Sequence, residues 1–160
     1  MEEIREVEQG RFRILLAEAA TFHSKRIREN PKNFGRDVLA SLQLGSLVSA
    51  TSYLNAQRIR ANLIKESRNI FSEIDVLVSP TTRSVAPLIE DGDTGAVLSR
   101  LTAPYDVLDI PSISVCCGFS KNNLPVGLMF ASNNLCENTV ANAAFAFEQN
   151  ATFEIPEKKY

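Results

Sequence analysis

The chain reads TAPYDVLDIPSISVCCGFSKNNLPVGLMFAS from Thr102 to Ser132, and this stretch decides its fold. It contains two apolar runs, Ile113–Phe119 and Val126–Ala131, which are separated by the polar loop Ser120–Leu124. Each run has the length of a β-strand and is bounded by proline or glycine. The pattern therefore predicts a buried β-hairpin.

Two glycines lie inside the predicted strands, at Gly118 and Gly127. Glycine in a strand weakens packing and often marks a place where a backbone or a ligand comes close. We therefore expect a close approach at both positions. Pro111 and Pro125 each precede a run, where the missing N–H costs no interior hydrogen bond of the sheet.

Outside the hairpin, apolar residues at steps of three and four predict helices, and a short apolar run predicts one more strand. A loop-rich stretch, Ser79–Asp109, follows that strand and is long enough to favour a functional loop. The other predicted elements are a helix at Phe12–Ile27, a long helix at Asp37–Phe71 with a bend near Gly45, a strand at Ile74–Val78, a short helix at Ala96–Leu101 and a helix at Glu137–Gln149. The order predicts an α/β fold in one domain over residues 1–160, with a frayed tail at 151–160.

Composition narrows the class of protein. The chain has 160 residues, of which 44% are hydrophobic and 22% charged, as in ordinary soluble globular domains. A net charge of −2 argues against a nucleic-acid partner, which needs a concentrated basic face. No apolar run approaches the ~20 residues of a membrane span. The acidic start MEEIREVEQG lacks the features of a signal peptide, so we expect a cytoplasmic protein without membrane contact.

Residues able to carry chemistry are few. His23 is the single histidine, and its place on an apolar helix face predicts a packing role. A cysteine hydrolase would need His23 beside Cys116 or Cys117, but both cysteines lie in an apolar strand, where thiols are inert. Asp106 and Asp109 flank turns, where aspartate commonly bonds backbone N–H groups. We expect no metal site, no cofactor and no catalytic residue in this chain.

Four segments together resemble the carboxyl-terminal part of the amidase signature family. Their order and spacing agree with the family over nearly the whole chain. They are AEAATFH at Ala17–His23, IDVLVSPTT at Ile74–Thr82, the hairpin with its preceding prolines (Pro104, Pro111, Ile113–Val115, Cys117–Ser120 and Leu124–Leu128), and AFAFEQ at Ala144–Gln149.

The resemblance implies a fold, and it also implies which part of that fold carries the catalytic residues. Family members cleave amides with a serine nucleophile, a second serine and a lysine, which lie in the amino-terminal part around a Gly/Ser-rich stretch. The nearest composition here is GSLVSATS, Gly45–Ser52, which lies in a helical pattern. The chain is thus expected to form the carboxyl-terminal portion of the fold, a few-stranded mixed sheet with a hairpin and flanking helices. It would supply scaffold and substrate-pocket wall, be inactive alone, and have the amino-terminal half as its partner.

The resemblance also implies which residues line the pocket. The loop after the first strand contributes Pro80 and Thr81, and the segment before Pro104 contributes Ser99 and Thr102. In the glutamine-using A-type subunits of the tRNA-dependent amidotransferases, an arginine and an aspartate stand at the positions of Ser41 and Ser99 and hold glutamine. Neutral hydroxyls cannot replace these charges. The hypothesis is therefore an amidase acting on a less charged amide, and an A-type subunit is the less favoured interpretation.

Two further hypotheses stay open on the sequence. The chain could be a non-catalytic interaction or regulatory module derived from an amidase. Separately, unsatisfied strand edges and an apolar face normally covered by the missing half predict that the isolated chain self-associates.

Overall fold

A computed structural model describes residues 2–91 and 98–153, with side chains described for 10–90 and 98–153. The chain divides into two compact units, Met1–Leu63 and Ile64–Tyr160. That residues 1–160 form one domain with a frayed tail stays a prediction, since residues 154–160 lie outside the described part.

The first unit is built from helices. Helix α1 spans Glu2–Glu29 and contains the whole of the predicted first helix. A short 3₁₀ turn at Pro31–Asn33 leads into α2, Arg36–Gly45, and α3 follows at Ala50–Ile70. The small or apolar side chains of Ala20, Leu42 and Ala56 are buried in this part of the chain.

The prediction of one long helix over Asp37–Phe71 is wrong, because the chain leaves the helix after Gly45 and starts α3 at Ala50. The hydroxyl of Ser46 bonds back to the carbonyl of Leu42 at 3.2 Å. Ser49 then caps α3, its hydroxyl accepting the N–H of Ser52 at 3.2 Å. The predicted bend near Gly45 is thus a complete break with its own cap.

The second unit holds a three-stranded sheet with the order β1-β3-β2. Strand β1 spans Leu77–Pro80, β2 spans Ser112–Phe119 and β3 spans Pro125–Ala131. Both pairings are antiparallel. The predicted hairpin and the α/β class are confirmed, although no parallel pairing of a mixed sheet is found among the described residues.

Strand β1 begins three residues later than the predicted Ile74–Val78. The carbonyl of Asp75 is held in a bend by the hydroxyl of Ser132 at 2.7 Å, which keeps this stretch out of the ladder. At the other end, Ser79 pairs with Met129 and extends the strand.

Two helices flank the sheet. Helix α4 spans Ala103–Leu108, and α5 spans Glu137–Asn150, which confirms the predicted last helix. The stretch predicted as a helix at 96–101 overlaps residues 92–97, which lie outside the described residues, and a 3₁₀ turn is seen at Ile89–Asp91.

Each face of the sheet carries its own apolar cluster. On one face α5 packs against β2 and β3, and the buried members are Val115, Phe130, Val140 and Ala144, with Phe147 packed against them. On the other face the buried members are Tyr105, Ile110, Met129 and Ala131. Val140, Ala144 and Phe147 therefore form the stripe of α5 that packs against the sheet.

Candidate functional site

On the sheet face that carries Met129, the side chains at one end bear hydroxyl groups. The hydroxyls of Ser79 and Tyr105 lie 2.8 Å apart, and those of Thr81 and Ser114 lie 2.5 Å apart. Ser79 and Thr81 are two residues apart and so point to the same face. We call these four side chains the hydroxyl row.

Gly127 makes the second of these contacts possible. It lies on the central strand β3, between β2, which carries Ser114, and the end of β1, which Thr81 directly follows. A Cβ at this position would lie 2.7 Å from Oγ1 of Thr81 and 2.9 Å from Oγ of Ser114, closer than real Cβ atoms come. The Thr81 N–H also donates to the Gly127 carbonyl at 2.9 Å. The predicted close approach at Gly127 is confirmed, with side chains of this chain as the neighbours.

The same prediction is wrong for Gly118. No atom lies within 4 Å of a Cβ built there. The backbone instead has a φ of 143° at a register irregularity between Cys116 and Gly118. Glycine is needed there because this conformation is strained for residues with a side chain.

The predicted pocket-wall residues of the second unit differ in how they are connected to the hydroxyl row. Thr81 belongs to it, and Pro80 is exposed at the end of β1. Ser99 and Thr102 are half-buried in the turn before α4, where the Thr102 hydroxyl donates to the Ser99 carbonyl at 3.1 Å. Tyr105 in α4 then bonds to Ser79, so this turn and the end of β1 are tied through one hydrogen bond.

Ser41 is placed elsewhere, half-buried in α2 of the first unit. The structure thus places Thr81 in the hydroxyl row and connects the Ser99–Thr102 turn to that row through Tyr105. The joint role of the five residues as a pocket wall stays a prediction.

Sequence reasoning did not identify two members of the hydroxyl row, Tyr105 and Ser114. One signal was available, because Ser114 is a polar residue inside an apolar strand run. Its link to Thr81 depends on strand order, which periodicity does not show.

The chemistry of the row is that of neutral hydrogen bonding. Its hydroxyls bond to one another, and Ser79 also donates to the Pro80 carbonyl at 3.3 Å. A hydroxyl nucleophile requires a neighbouring base or a lowered pKa. The geometry therefore suits binding rather than attack. Among the described residues, no group of three His, Cys, Asp or Glu side chains could hold a metal ion.

The remaining residues weighed on the sequence have structural surroundings. The His23 ring lies edge-on to Phe22 and Phe34, at centroid distances of 4.9 and 5.6 Å. Asp109 ends α4 with a φ of 60°, and its N–H donates to the Asp106 carbonyl at 3.4 Å. This places Asp109 in the turn role that its position predicted.

A shallow cleft of about 630 Å³ lies beside that turn. Besides Asp109, it is lined by Asp106, Asn134, Leu135 and Glu137. The Asn134 side-chain amide donates to the Asp109 carbonyl at 2.6 Å and so ties the two walls together. The carboxylates here act as turn and helix-end groups.

Comparison with solved structures shows the class of fold to which this chain belongs. The fold resembles a solved amidase structure with a TM-score of 0.84 at 23% identity, covering 93% of this chain and 36% of that one. It also resembles the A-type subunit of the Thermotoga maritima glutamyl-tRNA(Gln) amidotransferase, with a TM-score of 0.60 at 26% identity. That match covers 92% of this chain and 36% of the other. Both likenesses define an amidase-type α/β fold.

Sequence relatives agree with this class. The chain is 35% identical over 131 residues to the A-type subunit of the Brevibacillus brevis glutamyl-tRNA(Gln) amidotransferase, covering 76% of this chain and 27% of that protein. It is 33% identical over 153 residues to an amidase of Pseudomonas putida, covering 89% of this chain and 33% of that protein.

The family model "Amidase" matches residues 4–141, and the chain belongs to the amidase family. It spans about a third of the length of the curated relatives it matches. Within residues 2–91 and 98–153, no helix is both long and apolar enough to cross a bilayer.

Proposed function

We propose that this chain is the carboxyl-terminal portion of an amide hydrolase. It would supply part of the sheet and one wall of the substrate pocket and be inactive alone. The observation that carries the proposal is the family match over residues 4–141 combined with coverage of about a third of the relatives. The hydroxyl row supports the wall function, because it places four neutral hydrogen-bonding groups at one end of the sheet.

The remaining portion of the fold, on the same polypeptide or on another, would carry the reaction. In this proposal a serine attacks the amide carbonyl, backbone N–H groups stabilise the oxyanion, and a lysine acts as base through a second serine. The amine leaves, and water releases the acyl group. The carboxyl-terminal portion holds the substrate against that apparatus.

The proposed substrate class rests on two positions whose side chains are uncharged. By the resemblance, Ser41 and Ser99 match positions at which the A-type subunits carry an arginine and an aspartate. A hydroxyl cannot form the bidentate bond of a guanidinium with a carboxylate. We therefore propose an amide without the paired charges of free glutamine.

Complementation tests the proposal. The chain is co-expressed with the remaining portion of the fold, taken from the neighbouring coding sequence or from the Pseudomonas putida amidase, and hydrolysis of a panel of amides is measured. We expect turnover by the pair and none by the chain alone. Replacing the nucleophilic serine of the other portion with alanine is the matched control and should abolish turnover.

Two outcomes contradict the proposal. One is turnover by the isolated chain that survives alanine replacement of Cys116, Cys117 and Cys136. The other is a stable pair without turnover on any amide, which instead supports a non-catalytic interaction module.

A second candidate is an A-type subunit of a tRNA-dependent amidotransferase. The identity of 35% to the Brevibacillus brevis protein favours it. Glutamine hydrolysis by the complemented pair, faster than hydrolysis of neutral amides, would support this candidate. The serines at positions 41 and 99 lead us to expect the reverse order of rates.

A further inference from the structure

We propose that an open cleft in the first unit binds a small organic amine with an apolar body. The cleft has a volume of about 600 Å³, a size typical of small-molecule sites. Its apolar lining comes from α1, the turn after α2 and the start of α3, through Ala17, Phe22, Val48 and Ala50. None of the five predicted pocket-wall residues lines this cleft, so the inference does not depend on the proposed function.

A fixed carboxylate lies in the wall of the cleft. Glu18 and Tyr53 line it together, and the Tyr53 hydroxyl donates to Oε1 of Glu18 at 2.7 Å. The side-chain amide of Gln57 donates to the same oxygen at 3.3 Å and to the Tyr53 hydroxyl at 2.9 Å. These bonds join α1 to α3 and hold the carboxylate in one position, which preorganises it for a ligand.

The charge of this carboxylate identifies the polar group of the ligand. Within the part of the chain that the structure describes, no lysine or arginine forms an ion pair with Glu18. Tyr53 and Gln57 both bond to Oε1, which leaves Oε2 to accept from a ligand. An ammonium carries the opposite charge and only donates, whereas an anionic ligand would be repelled.

The apolar lining identifies the body of the ligand. The Phe22 side chain is 80% exposed, so its ring is accessible to a bound molecule. A hydrocarbon or aromatic group that packs against Phe22 and Val48 would remove apolar surface from water. The cleft therefore fits an amine that carries an aromatic or aliphatic group.

Binding to the isolated chain tests the inference. Backbone amide shifts of ¹⁵N-labelled chain are followed by NMR at neutral pH during titration with 2-phenylethylamine, 2-phenylethanol or 3-phenylpropionate. We expect saturable shifts at Ala17, Thr21 and Val48 with the amine. The alcohol should bind more weakly, and the anion should cause no saturable shift there.

Two variants locate the binding groups. Glu18→Gln keeps the size of the side chain and removes its charge, and should weaken amine binding about two- to fivefold, as expected for an exposed ion pair. Phe22→Ala removes an exposed ring without altering the Glu18 network and should also weaken binding. Far-UV circular dichroism should show unchanged helix content in both variants.

Glu29→Gln is the matched control. Glu29 is another exposed carboxylate of α1, lies outside the cleft and pairs with Lys25 at 3.8 Å. This variant changes the net charge by the same amount as Glu18→Gln and should leave amine binding unchanged. The absence of saturable shifts with the amine, equal binding of the alcohol, or equal loss in Glu29→Gln would overturn the inference.

Discussion

The hydroxyls of Ser79 and Tyr105 lie 2.8 Å apart and join the end of β1 to α4. Tyr105 is 7% exposed, and its ring belongs to the apolar cluster around Met129. A buried tyrosine usually finds a partner for its hydroxyl, because an unpaired buried polar group is costly. The Ser79 hydroxyl is that partner.

We predict that Tyr105→Phe lowers the free energy of unfolding by about 1 kcal/mol, the usual value of one hydrogen bond. Tyr105→Ala should lower it by about 3–5 kcal/mol, because it also empties the cluster. Urea denaturation measures both. In a double-mutant cycle, Ser79→Ala combined with Tyr105→Phe should cost less than the sum of the single changes. Strict additivity would show that the contact contributes nothing.

A methyl group at position 127 should destabilise the fold because it would overlap the side chains of Thr81 and Ser114. We predict that Gly127→Ala destabilises the fold by about 1–3 kcal/mol, as overpacking does. Adding Thr81→Ala should recover part of the loss by removing the nearest atom. Thermal or urea unfolding of the single and double variants measures this recovery.

Gly118→Ala is the matched control for that rescue. Space is open at position 118, but its φ of 143° disfavours any side chain. The variant should be destabilised by at least about 1 kcal/mol, and Thr81→Ala should not rescue it. Rescue of both variants, or of neither, would contradict the geometric explanation.

Gly45 sits where α2 meets the backbone of α1. A Cβ there would overlap the Leu16 carbonyl and approach the Ala20 side chain. Because backbone atoms cannot rotate away, we predict that Gly45→Ala destabilises the first unit by more than about 2 kcal/mol. Far-UV circular dichroism during urea unfolding measures this.

Gly35→Ala provides the comparison in the same unit. A Cβ at position 35 meets a side-chain oxygen of Asp37 at 2.8 Å, and this group can move. Gly35 is the N-cap of α2, where alanine is less favourable than glycine, so we expect a loss of about 1 kcal/mol or less. Equal destabilisation by the two alanine variants would refute the close approach of the helices at Gly45.

We also predict that the isolated chain self-associates into dimers or larger species. In the second unit, large apolar side chains are exposed, including Phe145 at 63% and Leu135 at 82%. Where such side chains form a contiguous patch, they mark a surface that another protein surface covers. Sedimentation velocity over a concentration range checks this, and Phe145→Glu should weaken association. A stable monomer at high concentration would contradict it.

The amino-acid pattern alone predicted the hairpin, the last helix and the family resemblance. The hairpin and the helix are local features, because apolar runs, prolines at strand starts and helical spacing each lie within a short stretch of chain. The hairpin from Ser112 to Ala131 needs only its own loop to bring its strands together. The same reasoning missed the break after Gly45, because Leu47 and Ala50 continue the apolar spacing of a helix across it.

What the sequence by itself determined is thus the hairpin, the last helix and membership in the amidase family. The tertiary structure decided that β3 lies between β1 and β2, and so that Thr81 and Ser114, 33 residues apart, meet above Gly127. The physical reason is that strand order and register are settled by packing between distant segments, which no local pattern records.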